Sequence, residues 1–165
     1  MAVPAGMGES AAASAAAPIE NVAELKFGPE FQNIHILSNA QVAVVLQVSA
    51  TSAVNRDEEL NEVYRKTQKY VNRFNTMTNP EKDHQELVDE LDNLQEALST
   101  FRKETDDGEE FELNGAEVAA LMNLVATDTL VEEAVALIPS LGRFPEAAVD
   151  EILDLIRSTM IRIVS

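Results

Sequence analysis

The segment DEELNEVYRKTQKYVNRFN, residues 57–75, carries the clearest helical pattern in the chain. Mostly apolar side chains recur in it at steps of three and four residues, which places them on one face of a helix. These are Leu60, Val63, Tyr64, Thr67, Tyr70, Val71 and Phe74. Acidic residues stand at the start and Arg73 near the end, as the helix dipole favours. We therefore predict an amphipathic helix here.

Leucines mark the next helix. Asn79-Pro80 is a typical helix start, because proline at the first position sacrifices no hydrogen bond. The following residues repeat at alternating steps of four and three: Leu87, Leu91, Leu94, Leu98 and Phe101. The repeat falls short of the roughly three to four heptads that a coiled coil needs, so a core helix is the better interpretation.

The C-terminal half predicts three more helices. One covers residues 116–124, after a stretch (102–110) that we expect to be a solvated acidic loop. The second begins at a capping box formed by Thr129 and Glu132 and ends at Pro139. The last, within residues 145–163, has one apolar face, formed by Val149, Ile152, Leu153, Ile156, Met160 and Ile163.

A capping box of Ser38 and Gln41 predicts the first helix, and residues 49–55 are expected to form a loop after it. About six helices with short connections and almost no strand signal predict an all-α bundle. The expected division is a disordered Ala/Ser-rich tail (1–18), an arm with the first helix (19–54) and a helical domain (55–165). An acidic insertion occupies about 81–110 of that domain.

The composition limits the possible functions. Among 165 residues, 29 Asp and Glu against 12 Lys and Arg give a net charge of -17, which repels phosphate and anionic membranes. Any RNA contact would need a partner that supplies positive charge. The first residues lack the features of a secretory signal or transit peptide, so we expect a soluble intracellular protein.

The sequence contains little that indicates an enzyme. The chain has no cysteine, and His35 and His84 lack the spacing that places two ligands on one helix face. The acidic residues around Gly108 do not fit a calcium loop, because its first and last ligands would be Lys103 and Asn114. We expect no catalytic residues, no metal and no cofactor.

Two surfaces suggest interaction instead. The apolar arm and one face of the first helix need cover from elsewhere, which makes their apolar residues the candidate partner-binding set: Leu25, Phe27, Phe31, Leu37, Val42, Val45 and Leu46. The basic cluster of Arg65, Lys66, Lys69 and Arg73 favours a solvated face or a dock for an acidic neighbour over RNA contact.

Several segments in this order resemble the family of fourth subunits of RNA polymerase II. They are LKFGPEF (25–31), LSNAQVAVVL (37–46), ELNEVYRKTQKYVNRF (59–74), EEAVALIPSL (132–141) and EILDLI (151–156). The most specific are LKFGPEF and the helix–LIPSL–helix element, whose motif residues are Leu137, Ile138, Pro139, Ser140 and Leu141. Ala116 departs from the family, which usually has an aromatic there, so we expect local repacking.

The resemblance implies an HRDC-like helical domain and a non-catalytic, nuclear stalk subunit. It implies a heterodimer with the seventh subunit, whose OB-fold domain binds RNA. It also implies docking on the core at the clamp and the largest subunit, near the RNA exit channel, with roles in initiation and transcript handling. Two alternatives stay open: the equivalent subunit of RNA polymerase III or a specialised polymerase, and a generic helical adaptor.

Overall fold

The computed structural model describes Asn21 and residues 34–56, 59–104 and 108–165. The chain divides into two units, Met1–Gln32 and Asn33–Ser165, and the description below concerns the second. Its helices are α1 (Asn39–Asn55), α2 (Glu62–Phe74), α3 (His84–Ser99), α4 (Gly115–Leu124), α5 (Val131–Leu137) and α6 (Glu146–Val164), with a 3₁₀ helix at Pro139–Arg143. The predicted all-α architecture is confirmed.

The core lies where α3, α4 and α6 pack together. Every leucine of the α3 repeat within the helix is buried, and so is the whole predicted face of α6. Leu98, Leu121 and Ile152 are completely inaccessible to solvent. The interpretation of the leucine repeat as a core helix is therefore confirmed, while Phe101, one residue beyond the helix cap, packs half-buried at its edge.

A short hairpin was not foreseen. Strands β1 (Arg102–Glu104) and β2 (Glu110–Glu112) pair antiparallel, with Lys103 opposite Phe111. Strand β1 and the first residue of β2 lie in the stretch that was expected to be a solvated loop. Phe111 packs on Phe144, with ring centroids 5.6 Å apart. In each strand one inward residue lies between two exposed residues, which is the pattern of a half-buried strand. A pattern of only three residues is too short to be recognised in the sequence.

Helix boundaries differ from prediction at two places. Helix α1 continues through the expected loop to Asn55, because Ala53 is buried there and tertiary contact outweighs the weak helix propensity of serine and threonine. Helix α3 begins at His84, not at Pro80, since the Asp83 carboxylate accepts hydrogen bonds from two backbone N–H groups of the first turn.

One further expectation was wrong. Helix α5 is capped one residue later than predicted: the Leu130 N–H donates to Glu133 Oε2 at 3.0 Å, whereas the Thr129 hydroxyl accepts from the Ala126 N–H. The predicted amphipathic helix is confirmed as α2, and its apolar face is mostly open to solvent, with Val71 the only buried residue of the helix. Within the described residues, no helix is long and apolar enough to cross a membrane.

Candidate protein-interaction surface

The chain enters α1 along a path fixed by polar contacts. The Ser38 N–H donates to Gln41 Oε1 at 3.0 Å and the Gln41 N–H donates to Ser38 Oγ at 3.3 Å, so the predicted capping box is confirmed. Gln95 of α3 donates to the Ile36 carbonyl at 3.0 Å. The Asn39 N–H donates to Asn123 Oδ1 of α4 at 2.7 Å. These bonds hold residues 36–39 against the helical body.

Beside this path lies an exposed apolar surface, which we call the α1 face and define as Leu37, Val45 and Val48. Their exposed fractions are 39%, 52% and 50%. Three neighbouring exposed apolar side chains form a contiguous patch. Such a patch indicates an interaction site, whereas single exposed apolar residues are common on any protein surface. The α1 face is therefore a part of the described surface that suits contact with another protein.

The other candidate partner-binding residues fall into two groups. Val42 and Leu46 are half-buried, and the Leu46 carbonyl accepts a hydrogen bond from the Tyr64 hydroxyl of α2. Leu25, Phe27 and Phe31 lie outside the described residues. Of the seven candidates, only Leu37 and Val45 therefore belong to the exposed surface that the structure describes.

A shallow groove of about 180 Å³ adjoins the α1 face. Leu37, Val44 and Val45 line one side, and Val88 and Leu91 of α3 line the other. Asp92, His35 and Gln41 supply polar groups in the same groove. An apolar groove with a few polar groups can receive a side chain from a partner, as protein interfaces commonly do.

The LIPSL motif forms the turn between α5 and α6. Ile138 and Leu141 are buried in the core, Leu137 and Pro139 are exposed, and Ser140 is half-buried. Pro139 begins the 3₁₀ helix and ends α5, as predicted. The motif thus contributes two buried side chains to the core and one polar side chain, that of Ser140, which contacts α4.

That polar side chain meets a buried carboxylate, which the sequence analysis missed. The side chain of Glu117 on α4 is fully buried, and its Oε1 accepts from the Ser140 hydroxyl at 2.5 Å. The Arg143 guanidinium donates to both carboxylate oxygens, with a distance of 2.7 Å to Oε2. The same guanidinium donates to the Glu112 carbonyl at 2.7 Å. A buried charge is tolerated here because it is paired and hydrogen-bonded.

Helix α4 also uses this carboxylate as its cap. The Asn114 N–H donates to Glu117 Oε2 at 3.0 Å and the Glu117 N–H donates to Asn114 Oδ1 at 2.9 Å. Burial alone would raise the pKa of Glu117, but the hydrogen bonds from Arg143, Ser140 and Asn114 outweigh it and lower that pKa. In turn, the hydrogen bond to Glu117 and its negative charge raise the pKa of Arg143. The Asn-x-x-Glu spacing was the available sequence signal.

No metal centre is formed by the described residues: they contain no group of three or more His, Asp and Glu side chains arranged around a common point. His35 lies beside the groove and His84 in the first turn of α3. The buried carboxylate of Glu117 is engaged in packing the turn between α5 and α6 against α4.

Comparison with known proteins agrees with this description. The family model described as RNA polymerase Rpb4 matches residues 32–160, most of the chain. The chain therefore belongs to the Rpb4 family of RNA polymerase subunits, and the resemblance seen in the sequence is confirmed. It is 31% identical over 139 residues to DNA-directed RNA polymerase II subunit 4 of Arabidopsis thaliana, which covers 82% of this chain and 86% of that protein.

Proposed function

We propose that this chain is the fourth subunit of nuclear RNA polymerase II, a stalk subunit without its own active site. The family match over residues 32–160 carries the proposal. The polymerase II name of the Arabidopsis relative and the LKFGPEF segment favour polymerase II over polymerase III or a specialised polymerase. The family membership also makes a generic helical adaptor unnecessary as an explanation.

The proposed partner is the seventh polymerase subunit, in a heterodimer that docks at the clamp near the RNA exit channel and supports initiation and transcript handling. The α1 face supports this proposal because it exposes apolar side chains next to a groove of suitable size. Covering such a patch removes apolar area from water, at about 25 cal/mol per Å². Leu25, Phe27 and Phe31, which lie outside the described residues, are proposed as further contacts with the same partner.

The charge of the chain supports a division of labour within that heterodimer. A net charge of -17 repels the phosphates of RNA at long range. The transcript should therefore run along the OB-fold partner, while this chain holds the partner in place. In this proposal, Glu117 with its partners Ser140 and Arg143 stabilises the helical domain.

The test is co-purification of the full-length chain with the seventh subunit of the same source. We expect Val45→Asp to weaken heterodimer formation about tenfold or more, since a charge would face an apolar interface. Val164→Asp is the matched control, because Val164 is similarly exposed at 66% but lies at the end of α6. It should leave the dissociation constant unchanged.

Equal affinity of the two variants would remove the α1 face from the interface. A chain that melts cooperatively as a monomer and ignores the seventh subunit would contradict the heterodimer itself. Capture of the largest subunit of polymerase III rather than that of polymerase II would favour the alternative polymerase. These results are distinct, so they show separately whether the interface, the partner or the choice of polymerase II is wrong.

A further inference from the structure

Helix α2 presents three different surfaces around its axis. Its inner edge consists of the buried Val71 and the half-buried Tyr64, whose hydroxyl donates a hydrogen bond to the Leu46 carbonyl. Next to it runs an exposed apolar stripe of Val63, Tyr70 and Phe74, with exposed fractions of 72%, 57% and 46%. Spacings of seven and four residues place these three on one line along a helix.

The third surface of α2 is a basic stripe, defined as Arg65, Lys69 and Arg73, which are all exposed and four residues apart. Lys66 lies between this stripe and the apolar one and pairs with Glu62 at 2.7 Å. The helix thus holds four cations against one carboxylate in a chain whose net charge is -17. Among the described α-helices, α2 is the one with a positive net charge.

The basic stripe also differs from the rest of the chain in its pairing. Every described lysine and arginine C-terminal to α2 forms an ion pair with a carboxylate: Lys82, Arg102, Lys103, Arg143, Arg157 and Arg162. Within the described part of the chain, Arg65, Lys69 and Arg73 have no such pair. With Asp and Glu more than twice as numerous as Lys and Arg, leaving three adjacent cations unpaired is a distinct feature of this helix.

The pattern fits a protein segment better than a nucleic acid. Arg73 lies 5.2 Å from the ring centroid of Phe74, and the Tyr70 and Phe74 ring centroids are 4.8 Å apart, so the two rings pack against each other at a tilt rather than form separate stacking platforms. Val63 has no use in base stacking but does fit an apolar side chain. The long-range repulsion is also smaller for a segment with a few carboxylates than for a polymer with one charge per nucleotide.

We infer that α2 is a docking site for an acidic amphipathic helix of a partner protein. Apolar side chains of that helix cover Val63, Tyr70 and Phe74, and its carboxylates pair with Lys69 and Arg73. This is helix-on-helix recognition, in which the apolar stripe supplies affinity and the flanking charges fix orientation. The surface is formed by residues of α2 and shares none with the α1 face.

Fluorescence anisotropy with the full-length chain tests this inference. The probe is a labelled synthetic peptide of about four helical turns with leucines on one face and aspartates and glutamates beside them. Lys69→Glu should weaken binding about fivefold, and Val63→Ser about tenfold. The controls are Lys103→Glu, a charge reversal at a half-buried lysine on β1, and Val164→Ser on α6; both should stay within about twofold of the parent.

Circular dichroism should show that each variant keeps its helices, because Lys69 and Val63 are exposed. The inference is overturned if the peptide does not bind, or if Lys103→Glu weakens binding as much as Lys69→Glu, since that indicates a general charge effect. It is also overturned if an oligouridylate binds as tightly as the peptide and is insensitive to Val63→Ser. That last result would assign the surface to RNA.

Discussion

The hydroxyl of Ser140 donates a hydrogen bond of 2.5 Å to the fully buried carboxylate of Glu117. This contact joins the turn between α5 and α6 to the first turn of α4, and Arg143 closes it from the solvent side. Ile138 and Leu141 flank the serine in sequence and enter the core. The LIPSL motif is thereby both a packing element and a hydrogen-bond partner of a buried charge.

Removing the charge of Glu117 should destabilise the protein. We expect Glu117→Gln to lower the free energy of unfolding by about 2 kcal/mol, because Arg143 loses its partner. The loss is smaller than for a fully buried pair, since the Arg143 side chain is 35% exposed. Urea denaturation measures it. The exposed Glu132→Gln should change the value by less than about 0.5 kcal/mol, and equal losses would argue against the buried pair.

The same pair predicts a pH dependence. The pKa of Glu117 in the folded protein lies below its ordinary value of 4.5, so the carboxylate stabilises the fold above pH 4.5. That contribution is lost as the pH falls from 4.5 through the folded-state pKa. Unfolding of the parent and of Glu117→Gln, measured over a pH series, should therefore converge at acid pH. A difference that stays constant below pH 4.5 would contradict a titrating Glu117.

Packing at the centre of the bundle should tolerate little loss of volume. Leu121 on α4 is completely buried, and Leu121→Ala should cost about 2–5 kcal/mol in free energy of unfolding because it leaves a cavity. Leu124 on the same helix is 50% exposed and provides the control. Thermal and urea unfolding of Leu121→Ala and Leu124→Ala decide the matter: similar losses would place the core elsewhere.

The start of α1 depends on Ser38. This residue is completely buried and its hydroxyl accepts from the Gln41 N–H, so Ser38→Ala should cost about 1 kcal/mol. Ser49, exposed within the same helix, is the comparison, and Ser49→Ala should be neutral or slightly stabilising because alanine is the better helix former. Hydrogen exchange of the first turn of α1 should increase only in Ser38→Ala; unchanged protection there would exclude a capping role.

Repeating patterns made much of the fold predictable. Leu87, Leu91, Leu94 and Leu98 recur at helical spacing on α3, and all four are buried. The Ser38–Gln41 capping box was legible because both partners lie within one helical turn. The hairpin was not, because its strands are only three residues long and are stabilised by contacts such as Phe111 with Phe144, which are distant in sequence.

The candidate surface was predictable only in part. Apolar periodicity on α2 predicted its stripe, but periodicity cannot distinguish a face buried in its own core from one left for a partner. Val63 and Tyr70 are exposed, whereas the equally periodic Ile152 and Ile156 of α6 are buried. The assignment of Val45 to the exposed surface and of Val42 to a half-buried position likewise needed the packed helices.

The amino-acid sequence by itself determined the presence of the helices, the cap of α1, the acidic character and the resemblance to the family, because these depend on residues near one another in the chain or on composition. Only the tertiary structure decided the burial of Glu117 among Ser140 and Arg143, since those residues are 23 and 26 positions away. It also decided which apolar stripes face solvent. Local interactions fix the elements, but burial depends on which elements meet, and that is settled by packing.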